Sequence, residues 1–497
     1  MTAPAIPHFR ATIIGTGFGG ILMGIKLRAA GIEDFIILEK AADLGGTWRD
    51  NTYPGAACDV QSHLYSYSFE PKPDWNHKFA HQDEINGYIH HCAGKYGVLP
   101  HIRFRTELYS ARFDERDNRW HLRTGDGKAL TTDILIAATG QLNKPLFPAI
   151  DGRDAFKGEA FHSARWNHDH DLAGKRVAVI GTGASAIQFV PEILPKVASL
   201  ALFQRSAPWV IRKPDRAFRR WEKKLFAALP LLERLYRAFL YCSYESRALA
   251  FTRFKWLLEP WTWAVKRRIR RDVRDPQKRD ALVPDYKIGC KRILLSNDWY
   301  PAMDDDRLDL VTDPVVRIEA DAVVTRHGNR HTVDTIIYGT GFRATEFLSP
   351  IHITGRNSRE LADVWKDGAE AYKGIVVNGF PNLFIVYGPN TNLGHNSIIY
   401  MLESQAAYIM DCIHALDQRP GTALDVKPER QQAFLDQVQA SMQRSVWAAG
   451  CTSWYVDDNG RNPINWPGFT FSYRRQTKQA DLGDFEILGP QQTESTP

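Results

Sequence analysis

The sequence predicts an α/β fold with two Rossmann-like dinucleotide-binding domains and a helical insertion in the second domain. Three observations carry this prediction. A strand, a glycine-rich loop, a helix and a second strand follow one another at residues 11–40, and the same order returns at residues 176–206. Between residues 215 and 280 the alternation stops, and apolar residues recur at helical spacing instead.

The first unit contains the apolar strand Ala11–Ile14, the loop Gly15–Gly20 and the strand Phe35–Leu38. In such a loop the first glycine permits a tight turn, and the second lets the backbone approach a pyrophosphate. The third glycine lets the helix pack closely on the strand. Because a helix N-terminus also carries partial positive charge, this unit predicts a dinucleotide site.

The second unit repeats this plan with the strand Val177–Ile180 and the loop Gly181–Ala186, where alanine replaces the third glycine. The two units differ at the residue 24 positions after the first glycine, which is Glu39 in one and Arg205 in the other. A carboxylate there accepts hydrogen bonds from ribose hydroxyls, whereas a guanidinium pairs with a 2′-phosphate. We therefore expect FAD in the first unit and NADP in the second. An ordinary surface or capping role stays open for both side chains.

Two further apolar strands, at residues 133–140 and 334–341, each end in a small-residue turn, and both are expected to lead the chain from one domain to the other. The predicted division is a FAD domain at 1–145, an NADP domain at 146–214, a helical insertion at 215–283, the rest of the NADP domain at 284–374, and a returning FAD-domain and C-terminal region at 375–497. The polar tail from Gln491 to Pro497 is expected to be frayed.

Composition bounds the class of protein. The chain has 497 residues, of which 44% are hydrophobic and 24% charged, as in soluble globular proteins. Six scattered cysteines without a C-x-x-C pair favour a reducing compartment and argue against a redox dithiol or a zinc site. No leader peptide or membrane-spanning run is expected, so the cytoplasm is the default location. The histidine pairs lack a third ligand, and no metal is predicted.

Positive charge is concentrated in residues 212–279, which hold 20 Lys and Arg but 7 Asp and Glu; the rest of the chain carries net −7. Such a segment can contact anionic lipid, nucleic acid or an acidic partner. The plainer alternative is a solvated insertion that draws an anionic cofactor inward. We interpret Trp256, Trp261 and Trp263 as helix packing, with a lipid surface or a substrate tunnel as the other readings. No nucleic-acid partner is predicted, peripheral contact with the inner membrane surface stays open, and the sequence does not determine the oligomeric state.

Three segments carry a family resemblance. Residues Phe156–Asn167 fit the pattern F-x-G-x-x-x-H-x-x-x-W, and residues Gly45–Asp59 fit G-G-x-W-x-x-x-x-Y-P-G-x-x-x-D. Gly289–Arg292 ends in a Lys-Arg pair. In these segments the chain resembles the Baeyer–Villiger monooxygenases, which are class B flavoprotein monooxygenases, and the resemblance runs from Gly15 to about Ser397. Asn167 departs from the Pro or Asp that often follows the tryptophan in this family.

The resemblance implies an enzyme that uses NADPH and O₂ to insert one oxygen atom next to a ketone carbonyl, through a flavin C4a-peroxide, giving an ester or lactone. Sulfoxidation is expected as a side activity. One alternative is an N- or S-oxygenating flavin monooxygenase, although these tend to have Tyr or Phe at the Trp166 position. The other is a non-oxygenating flavoprotein that binds FAD and NADPH.

The resemblance also implies roles for individual residues. Arg292 is expected to stabilise the negatively charged oxygen, and Asp59 to hold Arg292 in place; a surface arginine is the plainer reading of Arg292. A linker fingerprint comprises Phe156, Gly158, His162 and Trp166, with an ordinary linker histidine as the alternative for His162. The expected cofactor-binding residues are Gly15, Gly17, Phe18, Gly20, Glu39, Lys40, Gly46, Thr47, Trp48, Asp59, Gly181, Thr182, Gly183, Ala184, Ser185, Gln188, Arg205, Ser206, Lys291, Thr340, Gly341 and Asn390.

Overall fold

Two separate sheets form the frame of the protein. The computed structural model describes residues 6–448, 450–451, 453–457 and 459–489, so the predicted tail from Gln491 to Pro497 lies outside the described residues. Each sheet contains one of the two glycine loops at the end of a central parallel strand. The structure therefore has the predicted α/β architecture.

The first sheet has eight strands. The strand His8–Ile14, which precedes the glycine loop, pairs in parallel with Ala129–Ala137 on one side and with Phe35–Leu38 on the other. The strand Leu383–Ile385, which belongs to the region predicted to return to the FAD domain, pairs with the end of Ala129–Ala137. The eight strands are His8–Ile14, Phe35–Leu38, Ile102–Arg103, Leu108–Asp114, Arg119–Thr124, Ala129–Ala137, His352–Thr354 and Leu383–Ile385.

The second sheet is parallel throughout. One of its faces packs on the helix Ala186–Ile193, and the other packs on the small antiparallel sheet described below. Its strands lie in the order Leu308–Val311, Ser199–Phe203, Arg176–Ile180, Thr335–Tyr338 and Glu159–His162. A small antiparallel sheet is formed by Val315–Ile318, Ala322–Thr325 and Arg330–Thr332. Two short pairs join Val210–Ile211 to Leu294–Leu295, and Ala423–Val426 to Phe485–Leu488.

The longer helices cover these sheets. Phe18–Ala29 follows the first glycine loop and packs against Ile398–Asp417, which begins after the returning strand. The other α-helices are Thr47–Asp50, Gln82–Lys95, Ala186–Ile193, Arg220–Ala228, Pro230–Ser246, Ala248–Thr252, Glu259–Asp272, Pro276–Leu282, Trp299–Met303, Leu361–Val364, Pro428–Arg444 and Thr470–Gln476. None of the helices in the described ranges has the length and apolar character needed to cross a bilayer.

The two connections between the sheets run side by side. The backbone N–H of Leu146 donates to Gly341 at 2.9 Å, and that of Arg343 donates to Lys144 at 3.0 Å. The chain leaves the first sheet through residues 144–146. It is back at that sheet by His352–Thr354, which pairs with Leu108–Asp114. The domain boundaries at 145 and 374 stay predictions. A three-residue edge strand has too little periodicity to be recognised in the sequence.

Five α-helices lie between residues 220 and 282 and form the helical insertion. Although it interrupts the second domain in sequence, its helix Pro230–Ser246 packs on the first domain, whereas Arg268 of Glu259–Asp272 donates to the carbonyl of Ser296 in the second domain at 2.9 Å. Arg237 donates to the carbonyls of His63, at 2.5 Å, and Ser66, at 2.9 Å, and Tyr236 donates to the side chain of Gln61 at 3.2 Å.

The prediction that the insertion tryptophans are helix packing is wrong. Trp256, Trp261 and Trp263 are 68%, 47% and 63% exposed. Their spacing is compatible with a helix, but the buried side of Glu259–Asp272 is formed by Val265, Arg268 and Ile269 instead.

Candidate active site

Each glycine loop turns in close contact with the end of a neighbouring strand, which is Ala129–Ala137 for the first loop and Thr335–Tyr338 for the second. Gly15 has φ +98°, and a Cβ there would lie 2.7 Å from the carbonyl oxygen of Ala138. Gly181 has φ +109°, and its Cβ would lie 2.4 Å from the carbonyl oxygen of Gly339. Glycine is therefore required at both positions by backbone conformation and by space. The repeated geometry explains why the sequence pattern is repeated.

One cavity of about 1330 Å³ reaches both loops and also contacts Asp59 and Arg292. Gly17 and Gly46 are in backbone contact at its wall: a Cβ on Gly46 would lie 3.1 Å from the Cα of Gly17, so glycine lets the two segments approach closely. Of the predicted cofactor-binding residues, Gly20 and Asn390 are outside its lining. The cavity is lined by Gly15, Gly17, Phe18, Glu39, Lys40, Gly46, Thr47, Trp48, Asp59, Gly181, Thr182, Gly183, Ala184, Ser185, Gln188, Arg205, Ser206, Lys291, Thr340 and Gly341, among other residues.

The two predicted residues that do not line the cavity, Gly20 and Asn390, contribute to the packing of the fold. A Cβ on Gly20 would lie 1.9 Å from the carbonyl oxygen of Gly15, so Gly20 permits the close packing expected of a third glycine. Asn390 is buried and donates to the carbonyls of Asn462, at 2.8 Å, and Asn465, at 3.2 Å. Its neighbour Asn392 lines the cavity instead. In an irregular loop, sequence alone does not determine which of two nearby asparagines faces the site.

Glu39 is buried at the end of its strand, beside the first glycine loop. Its carboxylate accepts hydrogen bonds from the backbone N–H of Thr16 at 3.0 Å and from the Thr16 hydroxyl at 2.6 Å. Arg49 lies 3.1 Å from the other carboxylate oxygen. These contacts fix an acceptor at the rim of the first loop, as binding of a ribose hydroxyl requires.

The corresponding position in the second domain is cationic. Arg205 is exposed at the cavity edge, and Lys291 donates to the hydroxyl of Ser206 at 3.1 Å. Burial, together with the positive charge of Arg205, lowers the pKa of Lys291 below its usual value. Two cations held this close favour an anion between or beside them, and a 2′-phosphate meets that need.

Arg292 and Asp59 form an ion pair within the same cavity. The guanidinium donates twice to one carboxylate oxygen, from Nε at 3.1 Å and from a terminal nitrogen at 2.5 Å. Both side chains are about one-third exposed, at 33% and 27%. The negative charge of Asp59 raises the pKa of Arg292 above its already high value, so the group stays positively charged.

Tyrosine hydroxyls near this arginine were not predicted from the sequence. Tyr387 and Tyr455 are close enough to Arg292 to act on its charge, and burial raises the pKa of Tyr455 to about 12. Tyr387 has the left-handed φ of +65° and donates to Asn392 at 2.6 Å. In the sequence, the turn-forming residues that follow Tyr387 were a weak indication that this segment approaches the site. The C-terminal loop that brings Trp454 to the cavity offered none.

Gln188 connects the two domains. It lies on the helix Ala186–Ile193 of the second domain, donates to the carbonyl of Ala57 at 2.9 Å, and accepts from the hydroxyl of Tyr53 at 2.9 Å. Gly55, with φ +76°, packs against the same helix, and a Cβ there would lie 3.0 Å from the Gln188 carbonyl oxygen. The Tyr-Pro-Gly part of the motif is therefore a contact surface for the second domain.

The linker fingerprint lies beside the crossing segments. His162 ends a strand of the second sheet, is 1% exposed, and accepts from the backbone N–H of Ala164 at 3.1 Å. Burial, assisted by the charge of Arg165, lowers the pKa of His162 to about 4, so the ring is neutral at pH 7.

The other fingerprint residues pack around this strand. A Cβ on Gly158 would lie 2.4 Å from the carbonyl oxygen of Asp334, and Phe156 packs on the core of the second sheet. The Trp166 ring contacts Phe161 and Phe189 at centroid distances of 5.2 and 5.3 Å. These contacts give the fingerprint a role in seating the linker on the second domain.

A disulfide joins Cys290 to Cys451, next to Lys291 and Arg292. The 161 residues that separate the two cysteines give no recognisable spacing, so the sequence did not indicate this pair. The bond ties the C-terminal loop to the segment that carries the two cations. Away from the cavity, Asp114, Asp117 and His121 lie within metal-ligand distance of one another, but Asp114 is already paired with Arg116 at 2.6 Å.

Comparison with known proteins places these features in a family. The flavin-binding monooxygenase-like family matches residues 8–236. A Baeyer–Villiger monooxygenase from Pseudomonas aeruginosa PAO1 is 45% identical over 488 residues, which cover 98% of this chain and 93% of the relative.

Solved structures agree over nearly the whole length. A steroid monooxygenase bound to NADP has a TM-score of 0.87 and 30% identity, covering 97% of this chain and 99% of that one. A complex of OTEMO with FAD and NADP has a TM-score of 0.89 and 27% identity, covering 97% and 100%. The chain therefore belongs to the Baeyer–Villiger monooxygenases, a family of flavoproteins that use NADPH and oxygen.

Proposed function

We propose that the first sheet of this protein holds FAD, that the second holds NADPH, and that Arg292 and Asp59 form the oxygenation site. The reaction is that of the family: one oxygen atom of O₂ is inserted next to a ketone carbonyl, giving an ester or lactone, while NADPH is consumed. The observation that carries the proposal is the single cavity that joins both glycine loops to the Arg292–Asp59 pair.

The residues at the two loops fit their cofactors. Glu39 presents a fixed acceptor to the adenosine ribose of FAD, whereas Arg205 and Lys291 present positive charge to the 2′-phosphate of NADPH. FAD, when bound, accepts the hydride and activates oxygen. The protein orients the two cofactors, and the Tyr53–Gln188 contact holds the domains that carry them against each other.

Arg292 is proposed to act at the point where negative charge develops on oxygen. A guanidinium is permanently charged and offers several donors, so it can hold an oxygen anion and then the oxyanion of the ketone adduct. Asp59 accepts from Nε and one terminal nitrogen of the guanidinium, and within the part of the chain that the structure describes the other terminal nitrogen forms no hydrogen bond. Asp59 is therefore a positioning residue, and Arg292 is the catalytic one.

We propose an apolar ketone as the substrate. Leu294 and Trp454 line the cavity on segments joined by the disulfide beside Arg292, and Leu393 lines it from the returning loop. Apolar walls around one fixed cation suit a carbonyl compound with a hydrophobic body and exclude competing water. We place the enzyme in the cytoplasm, where NADPH is the common reductant.

The test is turnover under ¹⁸O₂ with a panel of linear, cyclic, aromatic and steroidal ketones and of sulfides. We expect esters or lactones that contain one ¹⁸O atom. Sulfoxide without ester from any ketone would identify a heteroatom oxygenase. NADPH consumption that yields hydrogen peroxide alone with every compound would identify a non-oxygenating flavoprotein.

A further inference from the structure

The outer side of the helical insertion has an unusual concentration of exposed apolar side chains. Among the described residues, 19 large hydrophobic side chains are exposed, and 11 of these lie between residues 221 and 263. They are Trp221, Leu225, Leu229, Leu231, Leu235, Phe239, Leu249, Phe254, Trp256, Trp261 and Trp263. Scattered single exposures need no explanation, but such a concentration marks an interaction surface.

These side chains lie on a continuous series of contacting elements. The helix Arg220–Ala228 contacts Pro230–Ser246, which contacts Ala248–Thr252; the turn Lys255–Leu258 then joins that helix to Glu259–Asp272. On Pro230–Ser246, exposed apolar residues recur every fourth position, at 231, 235 and 239, which places them on one face. We call the exposed side chains of residues 219–274 the insertion surface.

The insertion surface is predominantly positively charged. It contains 12 exposed Lys and Arg side chains, whereas Glu259 is its one exposed acid within residues 219–274. The other acids are drawn inward: Glu222 pairs with Arg216, Asp272 pairs with Arg268 and Arg271, and Glu233 and Glu245 are buried. Of the exposed cations, Arg271 and Arg274 are ion-paired, Arg274 with Asp304. The exposed basic residues are Arg219, Arg220, Lys224, Arg234, Arg247, Arg253, Lys255, Lys266, Arg267, Arg270, Arg271 and Arg274.

We propose that the insertion surface binds the surface of an anionic lipid bilayer. Tryptophan is favoured at the boundary between headgroups and acyl chains, leucine and phenylalanine enter the acyl region, and Lys and Arg attract anionic headgroups. All three kinds of side chain are present on adjacent helices. The protein lies on the membrane through this surface and does not cross it.

Two other occupants fit less well. In a symmetric dimer built on this surface, a twofold axis would bring the same 12 cations of each copy together, and like charges repel. Nucleic acid uses cations and aromatic rings, but it has no acyl region to receive the leucines at 229, 231 and 235. Anionic lipid satisfies both the charge and the apolar residues.

The test is flotation of the FAD-loaded full-length enzyme with two kinds of vesicle. One contains phosphatidylcholine with phosphatidylglycerol, and the other contains phosphatidylcholine alone. We expect binding to the anionic vesicles at low salt, weaker binding at high salt, and little binding to the neutral vesicles. Tryptophan fluorescence should shift to shorter wavelength with the anionic vesicles alone.

Two sets of variants separate the contribution of the positive charges from that of the tryptophan side chains. Arg253→Gln with Lys255→Gln and Arg270→Gln should weaken binding to the anionic vesicles by about fivefold for each charge removed. Trp256→Ser with Trp261→Ser and Trp263→Ser should abolish the fluorescence shift. Matched controls outside the surface are Arg326→Gln and Tyr109→Ser, which are also exposed and should change neither result. NADPH consumption in solution should stay unchanged in all of these variants.

The proposal is overturned if the native enzyme fails to float with anionic vesicles at low salt, or if the control variants weaken binding as much as the surface variants. It is also overturned if sedimentation shows self-association that the tryptophan variants abolish while vesicles bind neither protein. Tight binding to DNA or RNA that ignores the tryptophan variants, without vesicle binding, would assign the surface to nucleic acid.

Discussion

Arg292 donates two hydrogen bonds to a single oxygen of Asp59, although 233 residues separate them in the chain. The pair lies where the segment after the helical insertion meets the end of the Gly45–Asp59 motif, at the wall of the cavity shared by both glycine loops. The arrangement holds a permanent positive charge in place and leaves part of the guanidinium available for a ligand.

Replacement of the guanidinium should remove oxygenation selectively. Arg292→Ala is expected to lower the rate of ester formation by a factor on the order of 100 or more, because it removes the main charge that stabilises the oxygen anion. FAD content and NADPH binding should be retained. Product analysis by mass spectrometry and flavin absorbance measure the two effects. Full ketone turnover by Arg292→Ala would show that the assigned role is wrong.

Asp59→Asn should have a smaller effect on the same step. The amide keeps the size of the side chain but loses the charge that holds Arg292, so we expect a loss of roughly tenfold in ester formation and a larger share of hydrogen peroxide. In the double variant with Arg292→Ala, Asp59→Asn should cause no additional loss. Additive losses in that comparison would contradict a positioning role.

The preference for NADPH over NADH should depend on Arg205 and Lys291. Each replacement by alanine removes a charge-assisted contact worth about 1.5–3 kcal/mol, so the KM for NADPH should rise by roughly 10-fold to 150-fold. The KM for NADH should change little, since NADH has no 2′-phosphate. Steady-state kinetics with both cofactors measure this difference, and equal effects on both would remove the 2′-phosphate assignment.

The contact between Tyr53 and Gln188 should couple the two domains. Tyr53→Phe and Gln188→Ala each remove the 2.9 Å hydrogen bond, and each should increase the fraction of NADPH that yields hydrogen peroxide. Because both variants break the same contact, their effects should be strongly non-additive in the double variant. Independent effects that simply add would place the two side chains in separate roles.

Acid should destabilise the protein through buried histidines. Burial lowers the pKa of His63 and His162 to about 4, and that of His395 to about 3. Since these values lie below the unfolded value near 6.5, the unfolded chain takes up protons first as the pH falls. The free energy of unfolding should therefore decrease between about pH 6.5 and pH 4, by roughly 1.4 kcal/mol per pH unit for each histidine.

Unfolding temperatures measured across that range check the slope. His162→Gln keeps an acceptor for the N–H of Ala164 and should make the slope shallower. His352→Gln changes an exposed histidine of an edge strand and is the matched control. An unchanged slope in His162→Gln would mean that protonation of His162 does not contribute to acid unfolding.

Much of the fold followed from local patterns. The strands around residues 11–38 and 177–203, the strands near residues 133–140 and 334–341, and the helical character of the insertion were all predicted, since each depends on periodicity or on a glycine turn within a few residues. The early return at His352–Thr354 was not, because a short edge strand is specified by the neighbour it pairs with. The exposure of Trp256, Trp261 and Trp263 was likewise not predicted. Trp261 and Trp263 are two positions apart and so lie on different sides of their helix, and their spacing does not identify its buried side.

The sequence by itself determined that two glycine loops exist, that Glu39 and Arg205 occupy equivalent positions in them, and that the chain carries the motifs of one flavoprotein family. Only the tertiary structure decided that Gln188 bridges to Tyr53, that Cys290 joins Cys451, and that Asn392 faces the cavity in place of Asn390. It also gave the geometry of the Arg292–Asp59 pair, which the family resemblance had implied. The physical reason is the distance along the chain between the residues that interact. Backbone turns and helix periodicity are encoded within a few neighbouring residues, whereas contacts between segments over 100 residues apart depend on how the two sheets and the insertion pack together.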